Sequence, residues 1–193
     1  MTTTLSGILP FLAFAAFVPG ILWRGRRRDL PPQVILAQLL LGAWIAAIVA
    51  LTLFPLPWRT GPDRPLVVSD PGEWPLPWAS IRPFATIGMS LQRGVGTAEG
   101  RVLIGNVVAF LPLGFLAPIV GPRWRSWVRI LALGVLVSGA IELSQLGWDL
   151  VVGMPWRSAD VDDVIVNAFG TVLGFGLWRL VRLVPRPGPV SRA

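Results

Sequence analysis

The sequence contains no cysteine, no histidine, no tyrosine and no lysine. Without cysteine, the chain has no disulfide, no thiolate metal site and no thiol nucleophile. The absence of histidine removes the commonest general base and the commonest zinc ligand. Any chemistry must therefore come from Asp, Glu, Arg, Asn, Gln, Ser or Thr side chains.

Charged residues are scarce as well. They make up 14% of the 193 residues, against about 25% in an ordinary soluble domain, and the mean hydropathy is +0.66. Five apolar stretches approach or reach the roughly 20 residues that cross a bilayer: residues 5–23, 34–54, 102–120, 130–148 and 164–184. The composition predicts an all-α, multi-pass transmembrane helical bundle with about five spans.

All 17 basic residues are arginines, and most of them lie in three clusters that follow the first, third and fifth apolar stretches. The clusters are Arg24, Arg26, Arg27 and Arg28; Arg123, Arg125 and Arg129; and Arg179, Arg182, Arg186 and Arg192. The positive-inside rule assigns all three to the cytoplasm, which predicts an external N-terminus and a cytoplasmic C-terminus. Because these arginines flank spans instead of lining one groove, the high pI does not indicate nucleic-acid binding.

The apolar stretches divide the chain into three parts. We expect an N-terminal anchor helix with a basic cytoplasmic loop in residues 1–33, a membrane domain in 34–184, and a basic cytoplasmic tail in 185–193. Residues 55–101 are the expected extracytoplasmic loop. Its many prolines argue against a long helix before Pro83, and Trp58, Trp74 and Trp78 are typical of an aromatic belt at the headgroup level. Residues 85–92 could form a short interfacial helix.

Polar residues interrupt the third and fourth apolar stretches. Glu142 and Gln145 are three residues apart, so they share one face of a helix. A carboxylate at membrane depth costs at least about 2.5–3.5 kcal/mol on insertion scales and therefore indicates a specific role. In the third stretch, Asn106 precedes the helix-bending Pro112. Asn106 either lines a polar pocket beside the bend or bonds a neighbouring helix as a packing contact.

The fifth stretch carries a periodic face. Asp163, Asn167, Gly170 and Gly174 follow one another at spacings of four, three and four, so they lie on one side of a helix. The glycines form a GxxxG pair, which allows another helix to pack closely. This packing orients Asp163 and Asn167 toward the interior. Asp162 is interpreted as an N-terminal cap of the same helix, where the dipole favours negative charge.

Three motifs together resemble the VanZ-like family of membrane proteins. N-x-x-x-F-x-P-x-G begins at Asn106, S-x-x-x-E-x-x-Q begins at Ser138, and R-x-x-D-x-x-D-x-x-x-N-x-x-G-x-x-x-G begins at Arg157. An R-P-F element at Arg82 precedes them. The resemblance covers roughly residues 43–178 and implies a multi-pass protein of the bacterial cell membrane. The family is named for a component associated with teicoplanin resistance, and many members are expected to serve the cell envelope.

We expect one ligand-binding site from the polar residues of three spans and their connection: Asn106, Glu142, Gln145, Arg157, Asp160, Asp163 and Asn167. The first hypothesis is that this site binds or moves an envelope lipid or a lipid-linked cell-wall intermediate. Arg157 would pair with a phosphate or carboxylate. Glu142, Asp160 and Asp163 are candidate ligands for a divalent cation such as Mg²⁺, which prefers oxygen ligands.

Two alternatives remain open from the sequence. In the first, the protein is an intramembrane hydrolase or transferase acting on a lipid headgroup, with Glu142 as general acid or base. Ser138 and Ser144 have no histidine partner, so this alternative lacks a nucleophile. In the second, the polar residues form a purely structural network, in which Arg157 pairs with an aspartate and Glu142 pairs with Gln145 or Asn106. The oligomeric state is left open.

Overall fold

The computed structural model describes residues 7–53, 79–94, 96–152 and 158–183. Those residues form six α-helices, one short 3₁₀ helix (Pro122–Trp124) and one pair of two-residue strands. The helices are α1 (Leu9–Arg27), α2 (Pro32–Leu53), α3 (Ala85–Arg93), α4 (Ala98–Val120), α5 (Trp127–Val152) and α6 (Val161–Leu183). The strands are β1 (Ala79–Ser80) and β2 (Ala159–Asp160). The expected all-α helical bundle is confirmed.

Four of the described helices are long and apolar enough to cross a membrane: Pro32–Leu53, Gly100–Val120, Trp127–Val151 and Val161–Leu183. The expected count of about five spans is therefore one too high by this measure. The remaining stretch corresponds to α1, whose last turn contains Arg24, Arg26 and Arg27. These charges shorten its apolar part. The other four spans lie at the expected places in the chain.

Local signals explain where several helices begin and end. Proline stands at the first turn of both α1 and α2, where its missing N–H leaves no helical bond unmade. Thr97 caps α4, because its hydroxyl accepts a hydrogen bond from the Gly100 N–H at 3.2 Å. At the other end of α4, extended Gly121 and the following Pro122 stop the helix.

Helices α4 and α6 are in backbone contact along one side. A Cβ added at Gly170 would collide with the carbonyl of Val107, and one at Gly174 with the carbonyl of Leu111. From the opposite helix, a Cβ at Gly114 would meet the backbone of Thr171. The GxxxG pair of α6 therefore faces α4, and the side chains on this face of α6 are held in the interior.

The other helices surround this pair. Helix α5 packs on α6 where Gly134 lies against Thr171 and Ala168. Helix α2 reaches α4 through Trp44, whose indole donates to the Ala109 carbonyl at 2.5 Å. The carbonyl just before it in α4 lacks its helical hydrogen bond, because Pro112 has no N–H to donate. Helix α1 packs on α2, with Phe14 lying directly against Gly42.

The segment before α4 returns to the start of α6. Strands β1 and β2 pair in parallel, with Ala79 opposite Ala159 and Ser80 opposite Asp160. The helix expected over residues 85–92 is confirmed as α3, Ala85–Arg93. The proline-rich residues 54–78, with the three tryptophans expected to form an aromatic belt, lie outside the described residues.

Candidate functional site

The carboxylate of Asp162 caps α3, a helix more than 70 residues away in the chain. It accepts backbone N–H bonds from Phe84 at 2.6 Å, Thr86 at 2.8 Å and Ile87 at 3.0 Å. Asp162 is 1% exposed, so these bonds satisfy a buried charge with donors at a helix N-terminus. Asp162 does stand in the first turn of α6, as expected, where the helix dipole favours negative charge. Its carboxylate nevertheless bonds α3, and the side chain that caps α6 is that of Asp160, which accepts the Asp162 N–H.

Asp160 connects three elements at the start of α6. Its Oδ1 accepts the Asp162 N–H at 2.9 Å, and its Oδ2 accepts the Thr86 hydroxyl at 2.6 Å. Its own N–H donates to Glu142 at 2.9 Å. Both carboxylate oxygens of Asp160 are thus already hydrogen-bonded, and the residue joins α3 and α5 to the first turn of α6.

Glu142 and Asp163 lie beside Asp160 at the same end of the bundle. Glu142 is 8% exposed and accepts the Asp160 N–H through Oε2. Asp163 accepts the Asn106 amide N–H through Oδ1 at 2.8 Å. Asp160 directly precedes α6, and Asp163 stands in the first turn of that helix. The structure therefore brings Asn106, Glu142, Asp160 and Asp163 together.

The second oxygens of Glu142 and Asp163 are in a different situation from those of Asp160. Within the part of the chain that the structure describes, no hydrogen bond reaches Glu142 Oε1 or Asp163 Oδ2. Glu142 is 8% exposed and Asp163 is half-buried, so part of each residue lies at the surface of the described helices. Two neighbouring carboxylates, each with an oxygen that no described residue bonds, favour a ligand that donates hydrogen bonds.

A second polar layer lies one helical turn deeper between α5 and α6. The Asn167 amide donates to the Ser138 hydroxyl at 2.8 Å, and both residues are buried. The Thr171 hydroxyl donates to the Asn167 carbonyl at 2.9 Å. The Asn167 side-chain oxygen is enclosed and has no partner among the described residues. This layer belongs to the interface between the two helices and is separate from the carboxylate cluster of Glu142, Asp160 and Asp163.

Two further candidate residues are placed differently from the sequence hypothesis. Gln145 donates to the Thr52 carbonyl at 3.1 Å, which ties α5 to the end of α2. Arg157 lies outside the described residues. The pairing of Glu142 with Gln145 or Asn106, expected for a purely structural network, is not what forms. Glu142 instead accepts a backbone N–H from the α5–α6 connection.

The sequence left a divalent cation such as Mg²⁺ as a possible occupant of this cluster. Among the residues described, no group of three or more acidic side chains is arranged to hold a metal ion, the candidates Glu142, Asp160 and Asp163 included. The physical reason is that Asp160 already uses both oxygens to accept protein hydrogen bonds. The cluster therefore offers hydrogen-bond acceptors to a ligand and not a full set of oxygen ligands to a cation.

Two residues of this region escaped the sequence prediction. Asp149 is 1% exposed and accepts the Ser158 N–H at 3.1 Å. It follows Glu142 by seven residues and Gln145 by four, so it lies on the same helical face as those two residues. Helical spacing could therefore have predicted it. Thr86, the other missed residue, offers no such signal, because only the folded chain brings α3 next to Asp160.

The serines of the region are not set up as nucleophiles. Ser138 is fully buried and accepts the Asn167 amide. Ser144 is exposed and donates to the Ala140 carbonyl of its own helix at 2.7 Å. Among the described residues, no carboxylate that could act as a base is hydrogen-bonded to either hydroxyl.

Comparison with known proteins adds the family. Residues 41–182 match the sequence profile described as VanZ/LLP1. The chain belongs to the VanZ/LLP1 family. No curated protein and no solved structure matches the chain. The VanZ/LLP1 region begins inside α2 and ends in the last turn of α6, so α1 lies outside it. All the carboxylates of the cluster lie inside it.

Proposed function

We propose that this VanZ/LLP1 protein binds or moves an envelope lipid or a lipid-linked cell-wall intermediate, whose polar headgroup occupies the cluster of Asn106, Glu142, Asp160 and Asp163. The observation that carries the proposal is the pair of oxygens, Glu142 Oε1 and Asp163 Oδ2, that accept no hydrogen bond from the described residues although they lie on neighbouring carboxylates. Such oxygens accept hydrogen bonds from hydroxyl or ammonium groups, which sugars and amino-containing headgroups carry.

The site's depth in the membrane supports a lipid-linked ligand. Asp163 stands in the first turn of α6, and Glu142 is held at the same level because it accepts the N–H of Asp160, which directly precedes that helix. The cluster is therefore near one end of the spans, where a headgroup reaches the protein while its acyl chain stays in the bilayer. Arg157, from the connection between these helices, is proposed to pair with the phosphate of the same headgroup.

Substitution of the two carboxylates tests this binding. We expect Glu142→Gln and Asp163→Asn each to weaken binding of a labelled lipid-linked precursor to the purified protein by about tenfold or more, because each removes a charge-assisted hydrogen bond worth about 1.5–3 kcal/mol. Both changes preserve side-chain shape. Binding is measured by titration in detergent, and thermal unfolding checks that the variants are folded.

The matched control is Asp29→Asn, the same chemical change at an exposed residue in the α1–α2 connection. Asp29 has φ of +47°, a conformation that asparagine also adopts. Equal binding by the wild type and the two site variants, with Asp29→Asn also unchanged, would reject the proposed site. Release of a modified product, instead of retention of unchanged lipid, would favour the hydrolase or transferase alternative.

We further propose that the cluster faces the outside of the cell and that the C-terminus is cytoplasmic. The arginine clusters support this orientation, and it holds whether or not α1 crosses the membrane, since α1 precedes the first of the four spans. We expect reporter fusions after Arg28, Arg129 and Ala193 to report the cytoplasm, and fusions near Asp70 and Val152 to report the outside. The reverse pattern would place the cluster at the inner face.

A link to glycopeptide tolerance of the teicoplanin type is part of the proposal. If it holds, cells that carry Glu142→Gln or Asp163→Asn lose tolerance while the protein still accumulates in the membrane. Loss of accumulation would indicate a structural role for these carboxylates instead.

A further inference from the structure

A second charged region lies at the other end of the bundle. Arg125, Arg179 and Arg182 are exposed there and surround Trp127 and Trp178; these five residues are called the Arg–Trp face. Trp178 follows Asp163 by 15 residues on α6, so the face is about 22 Å from the carboxylate cluster at 1.5 Å per residue. The two regions are separate sites.

The arginines of this face are held on aromatic rings. The Arg182 guanidinium lies 5.1 Å from the Trp178 ring centre, and that of Arg125 lies 5.9 Å from the same ring. The Arg179 guanidinium lies 5.8 Å from the Trp127 ring centre. These distances are within cation–π range. Two positive charges from α6 and one from the α4–α5 connection thus converge on two tryptophans.

The tryptophans are themselves fixed by packing. Phe175 stacks on Trp178 at 5.4 Å and meets Trp127 edge-on at 4.5 Å. Phe175 and Trp178 belong to the buried core cluster that also includes Ala117 and Ile130. Trp178 is therefore held by the core, and the guanidinium groups over its ring lose less conformational freedom when they bind a ligand.

The segments that carry these arginines contain no acidic residue of their own. Segments 121–141 and 164–183, which build this end of the bundle, contain no Asp or Glu. Two more arginines extend the positive region, since Arg129 donates to the carbonyl of Arg123 at 3.0 Å. Arg125 uses its Nε to donate to the Pro118 carbonyl at 3.3 Å, which leaves its terminal N–H groups for a ligand.

We infer that the Arg–Trp face is a binding site for the phosphate headgroup of an anionic phospholipid of the surrounding bilayer. A guanidinium held over an aromatic ring still has N–H donors at its edge, and a phosphate can accept two of them. The site lies at the ends of the spans α4, α5 and α6, at the level of the headgroups, so the lipid's chains can lie along the apolar surface. The positive-inside rule assigns this end to the cytoplasmic leaflet, which is rich in anionic lipid.

The test measures the affinity of labelled phosphatidylglycerol for the detergent-purified full chain, with phosphatidylcholine and inorganic phosphate as competitors. The wild type is expected to bind phosphatidylglycerol, and neither competitor is expected to displace it. Arg125→Gln/Arg182→Gln should weaken binding about 30-fold, since each arginine beside an anionic headgroup contributes about fivefold. The control Arg24→Gln/Arg26→Gln, with the same loss of charge at exposed residues of α1, should change binding less than about twofold.

Two charge-conserving variants separate a built site from general attraction. Arg125→Lys/Arg182→Lys keeps the charge but removes the planar donors, and Trp127→Leu removes the base under Arg179; both should weaken binding severalfold. If both variants bind as the wild type does, or if the α1 control loses as much affinity as Arg125→Gln/Arg182→Gln, the inference is wrong. Displacement by millimolar inorganic phosphate would also overturn it, because the site would then take a free anion and not a lipid.

Discussion

Replacement of Asp162 by alanine is expected to lower the free energy of unfolding by about 3–5 kcal/mol. The change removes a buried acceptor of three backbone N–H bonds, from Phe84, Thr86 and Ile87. Each buried donor left without a partner costs about 1–3 kcal/mol. Met89 and Leu91 on α3 are half exposed or more. The bonds of Asp162, with that of Asp160 to the Thr86 hydroxyl, therefore provide most of the hold between the N-terminus of α3 and α6.

The measurement is thermal unfolding in detergent, together with limited proteolysis of the segment between α3 and α4. Asp162→Ala should unfold earlier and be cut faster in this segment. Asp163→Asn, at the neighbouring residue, is the control. The Asp163 side chain is only half-buried and accepts a single side-chain hydrogen bond. Equal stability of the two variants would contradict the capping role of Asp162.

Insertion of a side chain at Gly174 is expected to separate α4 from α6. In Gly174→Leu the new Cβ would collide with the Leu111 carbonyl. Backbone cannot move aside as a flexible side chain can, so we expect a loss of about 3 kcal/mol or more, at the upper end of the cost of overpacking. The separation would also pull Asn106 away from Asp163, so that ligand binding falls along with stability.

Gly105→Leu is the control for this prediction. Gly105 stands on α4 with open space around its Cβ position, so the same substitution there adds volume without a collision. Thermal unfolding of both variants in one detergent gives the comparison. The close approach of α4 and α6 would be contradicted if Gly174→Leu were as stable as Gly105→Leu.

The spans could be predicted from the sequence because they depend on local composition. A run of about 20 apolar residues must satisfy its backbone within itself, and an α-helix does so. The α1 region is the exception, because the arginines in its last turn make it less apolar than the four helices that can cross a membrane. The glycine face of α6 could also be predicted, because helical spacing alone aligns Gly170 and Gly174 with Asp163 and Asn167.

The partners of the polar side chains could not be predicted in the same way. The Gln145 amide bonds a carbonyl 93 residues away, and Asp162 bonds the Thr86 N–H across 76 residues. Helical spacing says which side chains share a face, but it does not say which helix that face meets. For this reason the sequence groups Gln145 with Glu142 and gives no indication of Thr86.

The carboxylate cluster of α5 and α6 is proposed to receive the headgroup of a lipid-linked ligand. Photo-crosslinking tests this proposal most directly, with a lipid-linked cell-wall precursor that carries a diazirine on its headgroup and with the modified residues mapped by mass spectrometry. We expect crosslinks near Asn106, Glu142 and Asp163, reduced by excess unlabelled precursor and lost in Glu142→Gln/Asp163→Asn but not in Asp29→Asn. Crosslinks spread over the exposed apolar surface of the helices, unaffected by competitor or by the site variants, would contradict it.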